Sequence, residues 1–129
     1  MKNDRPPANE SDTGVVTIHE FQQLIRDMYY EKDVVRGVSG TFMWLMEEVG
    51  ELSSALRETS SGDQARWSPE ELDQRRSNLR QEFADVLAWL ATIANVVDVD
   101  LNEAVRQKYG SGCPGCQKFI CICPDGEKP

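Results

Sequence analysis

The sequence predicts an all-α fold, a helical bundle of three longer helices plus a short fourth, followed by a small Cys-rich C-terminal tail. Three observations lead there. Apolar residues recur at three- and four-residue spacing from Phe21 onward. Two segments carry the reciprocal Ser/Thr-x-x-Glu capping signature of a helix start. No alternating strand pattern precedes residue 117, and no internal repeat is evident. At 129 residues the chain has the length of one domain.

Taken in order, residues 1–14 hold two prolines and several charges with little to bury, and read as a disordered lead-in to a helical domain over 15–110. Thr17 and Glu20 form the first capping box. Phe21, Leu24, Ile25 and Met28 then mark one face of a helix running to about Glu31 or a little beyond. Gly37 and Gly40 interrupt the pattern. A second helix is expected from about Ser39 or Thr41 to Thr59, with Phe42, Leu45, Met46, Val49, Leu52 and Leu56 as its apolar stripe. After the polar stretch Ser60 to Trp67, Ser68 is a good cap, Pro69 suits the first helical position and Glu71 completes a second capping box. The third helix should continue to about Val97, its stripe made of Leu79, Phe83, Val86, Leu90, Ile93 and Val97. Asp100 caps a short fourth helix, Leu101 to Tyr109, which Gly110 is expected to end in the left-handed conformation.

Charge narrows the function. With 14 Lys and Arg against 22 Asp and Glu, the net charge is −8, which repels nucleic-acid polymers as partners. An acidic protein that handles phosphates needs a divalent cation between the two. The longest largely apolar stretch, Val86 to Val97, is too short to span a bilayer. The first residues lack the apolar middle of a signal peptide, so a cytoplasmic protein is expected. A single histidine, His19, removes Ser-His-Asp triads and two-histidine di-iron sites. Hydrophobic residues make up 40% of the chain, enough for a modest core of the kind small domains often complete by oligomerising.

The acids carry the chemistry. At about 100° per residue, Glu48 borders the stripe of the second helix and Glu51 lies one turn on, beside Trp44. On the third helix Glu82 falls almost at the middle of the stripe, with Asp85 on the same flank. Each helix thus presents an acidic pair at or inside its buried face. Burying one unpaired carboxylate costs several kcal/mol, and like charges make it worse. The acids must therefore pair with Arg or Lys, take up protons, or share a cation. Arg57 and Arg80, on the same helices, lie on other flanks. A carboxylate cage for one or two Mg²⁺ fits best, because Mg²⁺ takes oxygen ligands and bridges phosphates. The competing reading is a set of surface ion pairs on a solvated face.

The segment FMWLMEEVGELSSALRE, followed by EFADVLAWLATIANVVDVDLNEAV, resembles the MazG-type all-α nucleoside triphosphate pyrophosphohydrolases. The shared pattern is Glu-x-x-Glu (Glu48, Glu51) followed by Glu-x-x-Asp (Glu82, Asp85), over roughly residues 17–110. The resemblance implies a compact MazG-like helical bundle that forms a homodimer or homotetramer. It also implies Mg²⁺-dependent cleavage, with Mn²⁺ as a substitute ion, of a nucleotide substrate, a (d)NTP or a related nucleotide, to the monophosphate and pyrophosphate. Glu48, Glu51, Glu82 and Asp85 would hold the Mg²⁺. Glu47 and Glu51 are the candidate bases for the attacking water, and the sequence does not choose between them. Lys108 is the nearest match to a phosphate-binding basic residue of that family, the alternative being a helix-end lysine favoured by the dipole. Trp44 is placed either to stack on a base or to pack in the core.

The tail, residues 111–129, holds Cys113, Cys116, Cys121 and Cys123 in the spacing C-x₂-C-x₄-C-x-C. A Cys-Pro-Gly-Cys turn has the shape of a zinc knuckle, and four thiolates would complete a structural Zn²⁺ site. Disulfides and an iron–sulfur cluster are the alternatives. A different reading of the whole chain, a non-catalytic helical interaction module whose zinc tail is the working part, leaves both acidic pairs unexplained.

Overall fold

The computed structural model describes residue 14, residues 16–60 and residues 62–124, without the side chains of 63 and 64. The expected disordered lead-in therefore lies outside the described residues except for Gly14, and so does the tail beyond Pro124.

Helix α1 spans Ile18–Ser60, and Gly37 inside it is non-helical at φ 76°, ψ 178°. The sequence places two helices here with a gap of several residues; the structure reduces the gap to this single residue. The first arm runs on through residues 32–36, and the second starts at once, so Ser39 and Gly40 are helical. Gly37 occupies a backbone region open essentially to glycine alone, which is why one residue suffices to redirect the chain. At the start of α1, Thr17 N–H donates to Glu20 Oε2 at 2.9 Å and Glu20 N–H donates to Thr17 Oγ1 at 3.1 Å, the expected capping box.

A 3₁₀ turn, Gly62–Arg66, occupies the polar stretch before α2, Pro69–Val96. Ser68 and Glu71 close the second capping box, with bonds of 2.7 and 3.2 Å. Asp100 Oδ1 accepts Glu103 N–H at 3.0 Å at the start of α3, Leu101–Tyr109. Gly110 does not end α3 in the left-handed region: it stays right-handed at φ −61°, and Gly112, at φ +98°, supplies the positive φ two residues later. Among the described residues every regular element is helical.

Helices α1 and α2 form the main interface. The buried face differs from the expected one. On the second arm of α1 the seam is Thr41, Leu45 and Ala55, with Glu48 and Leu52 half-buried at the intervening positions. This is a strict spacing of four and three residues, one step round the helix from the bulky stripe. Toward the first arm of α1, where Gln22 bonds Asn95, α2 buries Ala91, Thr92, Ala94 and Asn95. Small residues let the backbones approach closely. The bulkier Phe42, Met46, Val49, Leu56, Phe83, Leu90 and Val97, expected in the core, are 39% to 53% exposed. Each long helix therefore carries two apolar faces, and one chain buries only one of them. Gln22 fastens the far end: its side chain bonds Asn95 Oδ1 at 3.0 Å, Val99 O at 2.7 Å and Leu101 N–H at 2.9 Å, tying α1 to α2 and to the start of α3.

Candidate metal and nucleotide site

Two facing seam positions place the acids. Glu48 and Glu51 are one turn apart on the second arm of α1, and Glu82 stands on α2. One carboxylate oxygen from each lies within 4.8 Å of the other two. Glu48 and Glu82 are half-buried, and the Oε2 of each is buried without a hydrogen-bond partner. Such orphaned oxygens are rare in folded proteins and need an explanation. Glu51 and Asp85 are exposed at the mouth of the cluster. Asp85 does not join the three converging oxygens, yet its charge bears on both Glu48 and Glu82. No ion pair among the described residues includes Glu48, Glu51, Glu82 or Asp85.

The electrostatic consequence is one-sided. Burial pushes the Glu48 carboxyl up, and the charges of Glu51, Asp85 and Glu82 push it further, while the Trp89 indole N–H pulls it back. Burial also raises Glu82, followed by the charges of Glu51 and Asp85 and a hydrogen bond with Glu51. Among the described residues no Lys or Arg forms an ion pair with these carboxylates. The donor set is all oxygen, partly desolvated, and open on the Glu51 and Asp85 side, which fits a hard divalent ion such as Mg²⁺ that keeps part of its water.

The surroundings supply what a charged ligand needs. Between the first arm of α1 and α2 lies a cavity of about 380 Å³ lined by Tyr29, Lys32, Arg36, Asp85, Trp89 and Thr92 among others. It shares Asp85 with the acidic cluster, so a basic wall and an acidic wall meet there. Arg36 donates to Asp33 Oδ1 at 2.9 Å and sits 4.9 Å above the Trp89 ring. Asp33 is only 2% exposed, and its Oδ2 has no partner. The Trp44 and Trp89 rings stack 5.8 Å apart at 10°.

The remaining expected residues fall as follows. Trp44 is neither core nor free: it is 47% exposed, and Trp89 takes its ring contact. Glu47 is exposed and outside the converging trio. Lys108 stands on α3 with its ammonium 5.6 Å from the Tyr109 ring, and it does not line the cavity beside the acids. Lys32, Arg36 and Trp89 were not singled out from the sequence. The signal in the sequence is a Lys and an Arg four residues apart just before the glycine break, on a different predicted helix from either acidic pair.

In the tail, the four Sγ atoms of Cys113, Cys116, Cys121 and Cys123 also lie within 4.8 Å of one another, and all four cysteines are free. The Ile122 N–H, and after it the Lys118 N–H, draws Cys116 down to about 6 against its burial.

No helix among the described residues is long and apolar enough to cross a membrane. Over residues 36–116, which take in both acidic pairs, the chain matches the family model of the MazG nucleotide pyrophosphohydrolase domain. It is 31% identical over 115 residues to mouse dCTP pyrophosphatase 1, the match covering 75% of this chain and 65% of the relative. The chain thus spans just under two thirds of the length of that relative. With the match covering most of the helical domain and all of its acidic cluster, the chain belongs to the MazG nucleotide pyrophosphohydrolase family.

Proposed function

We propose that the protein hydrolyses a nucleoside triphosphate to the monophosphate and pyrophosphate, using Mg²⁺, or Mn²⁺ in its place, held by Glu48, Glu51, Glu82 and Asp85. The observation that carries this is the pair of buried, partnerless Oε2 atoms of Glu48 and Glu82 facing each other across the α1–α2 seam. Their burial without a cation would be a standing cost, so their retention points to a ligand that the fold expects. Bound there, the metal would supply positive charge to the phosphates and to the oxygens on which charge develops.

The chain's own groups do the rest. Of the two candidate bases, Glu51 reaches the cluster and Glu47 does not, which favours Glu51 as the carboxylate that takes the proton of the attacking water. Lys32 and Arg36 line the cavity that adjoins Asp85, where they can meet the phosphate charge left uncovered. Lys108 would help only if a second copy brings it to the cleft. The exposed face of Trp44 offers the base a stacking surface already stiffened by Trp89. The name of the mouse relative makes dCTP the first substrate to try.

The exposed apolar faces of α1 and α2 support a homodimer or homotetramer. A nucleotide substrate and four unbridged thiols suit the cytoplasm. The test is a panel of canonical and modified NTPs and dNTPs, dCTP included, assayed with Mg²⁺ and without metal. Pyrophosphate and monophosphate in equal amounts, lost in Glu82→Gln, is the expected result. No turnover of any member with Mg²⁺ or Mn²⁺, or release of orthophosphate alone, would overturn the proposal and favour the non-catalytic module.

A further inference from the structure

The mechanism above makes no use of the cysteine loop, and residues 111–124 form no regular element. What orders this loop is the question. Hydrophobic burial does not: Phe119, Ile120 and Ile122 are 88%, 85% and 71% exposed. The backbone instead folds around the sulfurs. Cys113 O accepts Gln117 N–H at 2.7 Å, and Lys118 O accepts Cys113 N–H at 2.8 Å, closing a tight turn over Pro114 and Gly115. Gln117 adopts a positive φ of 57° to make the turn. Gly112, at φ +98°, lets the returning chain pass: a Cβ there would stand 2.7 Å from the Lys118 carbonyl carbon and oxygen. A backbone amide also points at sulfur: Cys123 N–H donates to Cys121 Sγ at 3.4 Å.

The sulfurs have the spacing of ligands on one ion. In a regular tetrahedron the edge is about 1.63 times the centre-to-vertex distance, so a Zn–S bond of about 2.3 Å sets neighbouring sulfurs about 3.8 Å apart. Cys113 Sγ and Cys123 Sγ are 3.8 Å apart, and Cys116 Sγ and Cys121 Sγ are 4.0 Å apart. An iron–sulfur cluster interposes several atoms between its thiolates and would spread them further. Hard ions such as the Mg²⁺ proposed for the acids do not favour sulfur, while Zn²⁺ binds such a site more tightly than Fe²⁺ does.

We propose that Cys113, Cys116, Cys121 and Cys123 bind one structural Zn²⁺ as a closed tetrathiolate, independent of the acidic site. With all four positions taken by protein there is no place for water or substrate, so the ion's role is to hold the loop after α3.

The full-length chain, purified under reducing conditions, should carry one Zn²⁺ per chain by elemental analysis. Its four thiols should resist a thiol reagent until a chelator strips the metal, and an organomercurial, which takes the sulfurs itself, should release one zinc per chain. Replacement by Co²⁺ should give the intense visible d–d bands and the near-ultraviolet sulfur-to-metal charge transfer of tetrahedral thiolate coordination. Cys116→Ser should lower zinc content at least about tenfold, while Glu82→Gln leaves it unchanged. The cobalt spectrum needs no variant, so a misfolded serine mutant does not spoil the test. Four freely reactive thiols without zinc, a mass deficit showing disulfides, iron in place of zinc, or zinc unaffected by Cys116→Ser would each overturn the proposal.

Discussion

Replacing Glu82 by glutamine should make the metal-free protein more stable while abolishing its activity. Glu82, Glu48 and Glu51 have oxygens within 4.8 Å of one another. At 4.8 Å two like charges repel by about 0.9 kcal/mol in water and about 3.5 kcal/mol at an effective dielectric near 20. Glu51 is exposed and the other two are half-buried, so solvent screening brings each repulsion nearer the lower limit, about 1 kcal/mol. Glu82→Gln removes two of them and leaves an amide able to donate to Glu51, for a gain of about 2 kcal/mol, or roughly 8 °C in Tm for a domain of this size.

The pH dependence has a definite sign. Glu48 and Glu82 have folded-state pKa values raised above 4.5, so between 4.5 and those values the native state holds more protons than the unfolded chain. Metal-free wild type must therefore lose stability as pH rises through that window, and Glu82→Gln must lose less. Mg²⁺ should reverse the order, raising the Tm of wild type and hardly moving that of the variant. Thermal melts in EDTA and in Mg²⁺, at fixed protein concentration and several pH values, give all of these readings. A variant less stable than wild type in EDTA, or equal Mg²⁺ shifts in the two proteins, would refute the reasoning.

Three further outcomes are expected. Gly37→Ala should cost about 1–3 kcal/mol in urea denaturation, because the added Cβ meets open space and the penalty comes from the backbone alone. Arg36→Ala should cost about 2–4 kcal/mol by stranding the buried Asp33 carboxylate, and adding Asp33→Asn should recover part of the loss in a double-mutant cycle. Lys32→Ala should raise KM for the nucleotide about tenfold with folding intact, as expected for a lost phosphate contact of about 1.4 kcal/mol.

Much of this protein was legible in its sequence because the informative signals were local. The Thr17–Glu20 and Ser68–Glu71 boxes mark where α1 and α2 begin through bonds between residues three apart. The acids were legible because Glu82 breaks an otherwise apolar pattern. The core face was not. Helical spacing identifies apolar faces but does not say which one a single chain closes, and Thr41, Ala55, Ala91 and Ala94 won that choice over Phe42, Met46 and Phe83 because small residues allow close approach. The distance spanned by the glycine break was equally hidden, since Gly37 alone supplies the needed φ and Gly40 remains helical. Lys32 and Arg36 share a cavity with Asp85 only because α1 and α2 pack together, a long-range consequence no short window contains.

The claim on which all of this turns is that oxygens from α1 and α2 share a divalent cation. Manganese paramagnetic resonance reads it directly. Free Mn²⁺ gives a sharp six-line signal, which wild-type protein with a non-hydrolysable triphosphate analogue should quench beyond the analogue alone, with Mg²⁺ restoring it by competition. The Glu48→Gln, Glu82→Gln double variant, folded by circular dichroism, should leave the signal as the analogue alone leaves it. Equal quenching by wild type and double variant, or none by either, would show that these carboxylates converge for some reason other than metal.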